Sequence, residues 1–118
     1  MVSVVDDDES VRAALRGLIR SVGMRVETFA SAEEFLFAEP APHTDCLIVD
    51  VRMPGMSGLE LQRELVENRR AIPLIFITAH ATDAAARARA LRDGAVAYLI
   101  KPFSEDALLK AVNAALKA

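Results

Sequence analysis

The chain has 118 residues, enough for one domain with a single buried core and too few for two catalytic domains. Its 14 lysines and arginines against 17 aspartates and glutamates leave a net charge of −3, so no basic field exists to hold nucleic acid directly. A hydrophobic content of 53% excludes a disordered chain, and apolar runs such as the four residues 46–49 and 74–77 are far too short to span a bilayer.

In chain order, the β-branched stretch 2–5 predicts a first strand. It passes at once into acidic residues, without the basic and long apolar regions of a signal peptide, so a cytoplasmic protein is expected. Val11, Leu15, Leu18, Ile19 and Val22 then recur at the spacing of one α-helical face. A second strand is predicted over 25–28, followed by Ser31 and Glu34 in the pattern of a capping box. His43, in the turn-like Pro40-Ala41-Pro42-His43, has no predicted role. The third strand, 46–49, contains the one cysteine, Cys46, which excludes disulfide stapling and reads as a buried bystander thiol.

Ser57 and Glu60 form a second capping box ahead of Leu61 and Leu65, and 74–77 predicts a fourth strand. The helix predicted over 82–93 would turn Ala84, Ala88 and Leu91 inward, small residues that bury little area, so it should pack lightly and move readily. A fifth strand follows at 96–100, then a helix bearing Leu108, Val112 and Leu116. Gly23 and Gly94 fall just past helices, where a left-handed residue is expected. Strict alternation of strands and helices, with strands apolar on both faces, implies a parallel sheet covered on both sides. The expected fold is therefore α/β, a doubly wound (βα)5 domain with a five-stranded parallel sheet in the flavodoxin-like order 2-1-3-4-5. The chain stops at Lys117-Ala118 within a helical pattern, so one domain over 1–118 without an output domain is expected, either standing alone or as a piece of a longer protein.

Open α/β sheets bind ligands at the carboxyl ends of their strands. Those ends carry Asp6-Asp7-Asp8-Glu9, Asp50, Thr78 and Lys101-Pro102. Helix capping accounts for Asp8 and Glu9. It does not account for Asp50, which ends a wholly apolar strand and leads into the loop Val51-Arg52-Met53-Pro54-Gly55. Three carboxylates beside one ammonium leave an excess of negative charge that a divalent cation would neutralise. Oxygen donors alone, without Cys or paired His, select a hard ion, Mg2+ or Mn2+. Lys101 suits phosphate as a point charge, Thr78 supplies a hydroxyl, and Asp50 becomes a candidate nucleophile forming an acyl phosphate.

With these residues in order, the sequence resembles the receiver domain of two-component response regulators over essentially its full length. The resemblance rests on Val5-Asp6-Asp7, Asp50, Met53-Pro54-Gly55-Met56-Ser57-Gly58, Thr78-Ala79 and Lys101-Pro102-Phe103. It implies a phosphoacceptor at Asp50. It also implies Mg2+ held by Asp7, Asp50 and the Arg52 carbonyl directly and by Asp6 through water, and a cis bond before Pro102. On phosphorylation Thr78 would turn toward the phosphoryl group and Tyr98 would rotate inward, changing the surface of the fourth helix, fifth strand and fifth helix. His80, two residues past Thr78, would modulate hydrolysis of the acyl phosphate, and Arg52 could gate access. The implied partners are a histidine kinase or phosphotransfer protein and, through that surface, a second copy of the chain. Ser31-Ala32-Glu33-Glu34-Phe35-Leu36 and Arg52-Met53-Pro54 are similar to the FixJ type, usually fused to a helix-turn-helix output that controls transcription.

Three rival readings can be weighed. A haloacid-dehalogenase-like phosphatase needs a second Asp two residues past the nucleophile, where this chain has Arg52. A flavodoxin-like FMN carrier would meet repulsion between its phosphate and Asp6 to Glu9. A degenerate receiver serving only as a docking module is disfavoured by the complete set of motif residues.

Overall fold

The structure, a computed structural model, describes residues 1–38, 44–80 and 82–117; the turn expected over Pro40 to His43 falls outside the described residues. Five strands alternate with five helices: β1 (Val2–Val5), α1 (Glu9–Ser21), β2 (Val26–Phe29), α2 (Ala32–Ala38), β3 (Cys46–Asp50), α3 (Gly58–Glu67), β4 (Leu74–Thr78), α4 (Ala84–Arg92), β5 (Ala97–Ile100) and α5 (Glu105–Leu116). All strand pairs are parallel, as the alternation of elements implied, and the sheet order is β2-β1-β3-β4-β5, the order expected. No helix of the described residues is long and apolar enough to cross a membrane.

The two-residue period of the strands splits the interior into two cores. Val2, Val4, Cys46, Ile48, Ile75 and Ile77 pack with Leu15 and Ile19 of α1 and Leu108 and Val112 of α5. Val5, Leu47, Val49, Leu74 and Phe76 face the other way, onto Phe35, Leu61, Leu65, Ala86 and Ala90 of α2, α3 and α4. Only β1, β3 and β4 are buried along their whole length. The edge strands β2 and β5 are partly open because each has one neighbour, so the expectation of two apolar faces holds for the three central strands.

The capping box at Ser57 and Glu60 is complete. At α2 the Ser31 hydroxyl accepts from the Glu34 N–H, but the Glu34 carboxylate accepts from the Ala30 N–H, one residue further back than a capping box requires. Gly23 and Gly94 adopt φ of 82° and 100°, as expected past α1 and α4. Val22 and Leu116, read as part of buried helical faces, are exposed: Val22 is already the cap of α1, and Leu116 is the last residue of α5.

The inward face of α4 differs from the expected one. Asp83 caps the helix and sets its phase so that Ala86 and Ala90 are buried, whereas Ala84, Ala88 and Leu91 face solvent. In a helix so rich in alanine the side chains barely distinguish one face from another, and neighbouring elements decide. Gln62 of α3 is buried and its Nε2 donates to the Ala90 carbonyl at 3.0 Å, beside the fully buried Ala90 side chain.

These phases predict opposite outcomes for two similar substitutions. Ala90→Leu overpacks the α3–α4 contact and should cost about 1–3 kcal/mol, whereas Ala88→Leu stays within about 0.5 kcal/mol, as measured by chemical denaturation.

Candidate functional site

The parallel register brings the ends of β1 and β3 side by side, with Val5 opposite Val49 and Asp6 and Asp50 next in line. Asp6 and Asp50 follow Val4 and Ile48 in the strand alternation, and so lean toward the α1–α5 side of the sheet. Asp6 is fully buried and Asp50 nearly so, while Asp7, the first residue to turn out of the sheet, is exposed. One carboxylate oxygen from each of Asp6, Asp7 and Asp50 lies within 4.8 Å of the others.

Lys101 joins two of these groups. Its Nζ donates to Asp6 Oδ2 and to Asp50 Oδ2, each at 3.2 Å. The backbone holds it there: the Lys101 N–H donates to the Thr78 carbonyl at 2.7 Å, and the Lys101-Pro102 bond is cis, as the family resemblance implied. The remaining carboxylate oxygens are taken by the chain itself. Asp6 Oδ1 accepts from the Asp8 N–H at 2.8 Å, and Asp50 Oδ1 accepts from the Arg52 N–H at 3.1 Å.

The electrostatics follow from this crowding. Burial raises the Asp6 carboxyl above its ordinary pKa; the Asp8 N–H opposes the rise, Asp50 adds to it and Lys101 works against it. Burial also disfavours the Lys101 ammonium, but the charges of Asp50 and Asp6 prevail and hold its pKa above the usual lysine value. A single cation thus serves two buried acids with a third beside them. This donor set, oxygen only and short of positive charge, fits a hard divalent ion.

Thr78 lies on the other face of the sheet, behind Leu74 and Phe76. It is fully buried, and its Oγ1 accepts from the His80 N–H at 3.0 Å. Tyr98 pairs with Phe76 in the register and packs on the same side, with ring centroids 6.3 Å apart. Its ring already lies inward, and its hydroxyl is buried with no hydrogen-bond partner among the described residues. Burial raises the Tyr98 pKa, with Asp83 adding to the rise and Arg52 and Arg87 opposing it. The Arg52 side chain does not lie over Asp50; it forms an ion pair with Asp83 at the start of α4.

Five supporting residues had no individual role predicted from the sequence. Arg12 donates from its guanidinium to the Asp6 carbonyl at 2.7 Å, steadying the first acid from α1. Glu33 of α2 accepts from the Met56 N–H at 3.0 Å, pinning the loop that follows Asp50. Gly55 makes room for it: a Cβ there would fall 2.6 Å from Glu33 Oε2, at a φ of 74°. At Gly58 a Cβ would run into the Asp50 carbonyl. Asp83 could have been suspected as a helix cap, since it directly precedes the alanine run; the contacts of Arg12 and Glu33 leave no local signature.

Residues 2–113 match the family of response regulator receiver domains. The chain belongs to that family. Response regulator protein TodT of Pseudomonas putida is 47% identical over 117 residues, covering 99% of this chain and 51% of TodT. Transcriptional regulatory protein FixJ of Azorhizobium caulinodans is 41% identical, over 98% of this chain and 54% of FixJ. The crystal structure of FixJ-N superposes with a TM-score of 0.88 at 38% identity, covering 98% of this receiver domain and 92% of the solved chain. The receiver domain spans about half the length of the curated relatives it matches.

Two outcomes follow from the buried phenol. Tyr98→Phe removes a hydroxyl that has lost water without gaining a partner, so stability should be unchanged or rise by up to about 1 kcal/mol in denaturant titrations. Ultraviolet titration of Tyr98 should give ionisation above the ordinary tyrosine value. The fold keeps the proton after the unfolded chain has released it, so the Tyr98 contribution to stability declines as pH rises past about 10.

Proposed function

We propose that the chain is a phosphorylation-dependent switch of a two-component system, in which Asp50 accepts a phosphoryl group from a phosphohistidine of a histidine kinase or phosphotransfer protein. The observation that carries this reading is the Lys101 ammonium shared by Asp6 and Asp50, beside the cluster that includes Asp7. In the transfer, an Asp50 carboxylate oxygen forms a bond to phosphorus as the P–N bond to the donor imidazole breaks, and the imidazole departs with the electron pair. Lys101 stabilises charge on the transferring oxygens, and the Thr78 hydroxyl donates a hydrogen bond once the group is in place.

Asp7 and Asp50, the Arg52 carbonyl and, through water, Asp6 are assigned to hold Mg2+, with Mn2+ able to substitute. Such an ion, when bound, supplies positive charge against the carboxylates and the phosphoryl oxygens. The geometry supports this assignment: one carboxylate oxygen from each of Asp6, Asp7 and Asp50 lies within 4.8 Å of the others, and the Lys101 ammonium is bonded to only two of the three acids. The chemistry is self-directed: Asp50 is phosphorylated, water later hydrolyses the acyl phosphate to inorganic phosphate and the free carboxylate, His80 is assigned to modulate that hydrolysis, and no external substrate is turned over.

The readout is assigned to Thr78, Tyr98 and the α4-β5-α5 surface. Ala84, Ala88 and Leu91, expected in the core, instead form an apolar stripe on the outside of α4, with Ile100 of β5 also exposed. This stripe supports partner exchange there, including pairing with a second copy, with Arg87, Arg89 and Arg92 available to meet acids of the twin. The similarity to the transcriptional regulator FixJ supports a role in controlling a transcriptional output domain, with no direct nucleic-acid contact by the receiver itself. The proposed receiver covers 1–118 and is assigned to the cytoplasm.

Acetyl phosphate with Mg2+ should add one phosphoryl group at Asp50, detected by intact mass. Asp50→Asn should abolish the adduct, and an adduct persisting on that variant would mean that the acceptor is another residue. Mg2+ followed by beryllofluoride should change the emission of Tyr98, the single tyrosine of a chain without tryptophan. Chelation of the ion should stop labelling altogether.

A further inference from the structure

The Arg52 backbone N–H is bonded to Asp50 Oδ1, so its guanidinium is tethered within one side-chain length of the acceptor. It reaches away nonetheless, to Asp83 Oδ2, 31 residues on in the chain. The other oxygen of that carboxylate, Oδ1, accepts from the Ala86 N–H at 3.1 Å and so caps α4. One carboxylate therefore ends a helix and restrains the arginine nearest the acceptor.

We infer that Asp83 is a positioning residue for phosphoryl chemistry at Asp50, acting by holding the Arg52 guanidinium off the site; the inference rests on the receiver reading above. The pair is easily exchanged. The Arg52 side chain is 56% exposed and that of Asp83 22%, and ion pairs open to water are weak and reversible. A guanidinium binds phosphate oxygens in a bidentate fork, and a phosphoryl group carries about −1.5 to −2 charge against −1 for a carboxylate. An anionic donor at the site, or a loaded Asp50, is thus a stronger partner than Asp83. While Arg52 stays on Asp83, an incoming phosphate donor meets three acids, with the Lys101 ammonium bonded to two of them and the Arg12 guanidinium engaged by the Asp6 carbonyl. Released, Arg52 offers a further positive charge at the entrance.

Asp83→Asn tests this, because asparagine keeps a capping oxygen and loses the charge. The rate of adduct formation from acetyl phosphate is measured with Mg2+ at low ionic strength, in the natural chain and in an Arg52→Ala background. Asp83→Asn should raise the rate about three- to tenfold in the natural chain, and the gain should shrink at high salt. In the Arg52→Ala background the same substitution should leave the rate unchanged. Asp83→Ser, a second uncharged cap, should repeat both results. An effect of equal size in both backgrounds would reduce Asp83 to a structural cap or a simple repelling charge, and equal rates for Asp83→Asn and the natural chain would overturn the inference outright. Absence of any adduct on the natural chain would instead bring down the receiver reading, and this inference with it.

Discussion

The ammonium of Lys101, held between two buried carboxylates, is the interaction on which the rest of the structure depends. It ties residue 101 to residues 6 and 50, so the ends of β1 and β3 and the turn after β5 must close together before any of the three groups is satisfied. Buried ion pairs contribute little net stability, because desolvation offsets the attraction. Breaking one is another matter, since it leaves a charge stranded in the interior. The value of this arrangement is geometric: it holds the Asp50 carboxylate in a fixed orientation at the end of β3, at the price of an electrostatic imbalance that a hard cation and a phosphoryl group are suited to relieve.

Around this rigid rim the molecule is unevenly held. The three central strands are sealed by large aliphatic and aromatic side chains on both faces, whereas α4 rests on two alanines and one hydrogen bond from Gln62. Gln62 Oε1 and the Tyr98 hydroxyl, both in the region that α4 covers, are buried without partners among the described residues. An unpaired buried polar atom costs stability, so a rearrangement that gave either atom a partner would offset part of the packing lost when α4 shifts. Small side chains and unsatisfied polar atoms together make α4 the element that a charge placed at Asp50 can shift most easily. The ion pair between Arg52 and Asp83 spans the gap between that charge and the start of the helix.

Under the proposed function, this division of labour is a physical requirement. A phosphoacceptor must be positioned by structure that does not yield, and a reporting surface must be held by structure that does. Acids and lysine on strand ends, with an exposed apolar stripe on an alanine-rich helix, would meet both demands within one small domain.

The parallel fold, the strand count and the rim residues Asp6, Asp7, Asp50, Thr78 and Lys101 were legible in the sequence. Strand alternation, capping boxes and acids at strand ends are local signals with strong periodicity. The phase of α4 was not legible, because alanine on every face carries no preference, and packing against Gln62 and the Asp83 cap decided it. The contacts of Arg12, Glu33 and Asp83 were invisible for a related reason: each joins side chain and backbone, or two side chains, that meet only after the sheet has formed. Periodicity determines which way a residue faces within its own element. Which distant group it then touches depends on how the elements pack, and that was settled by the tertiary structure alone.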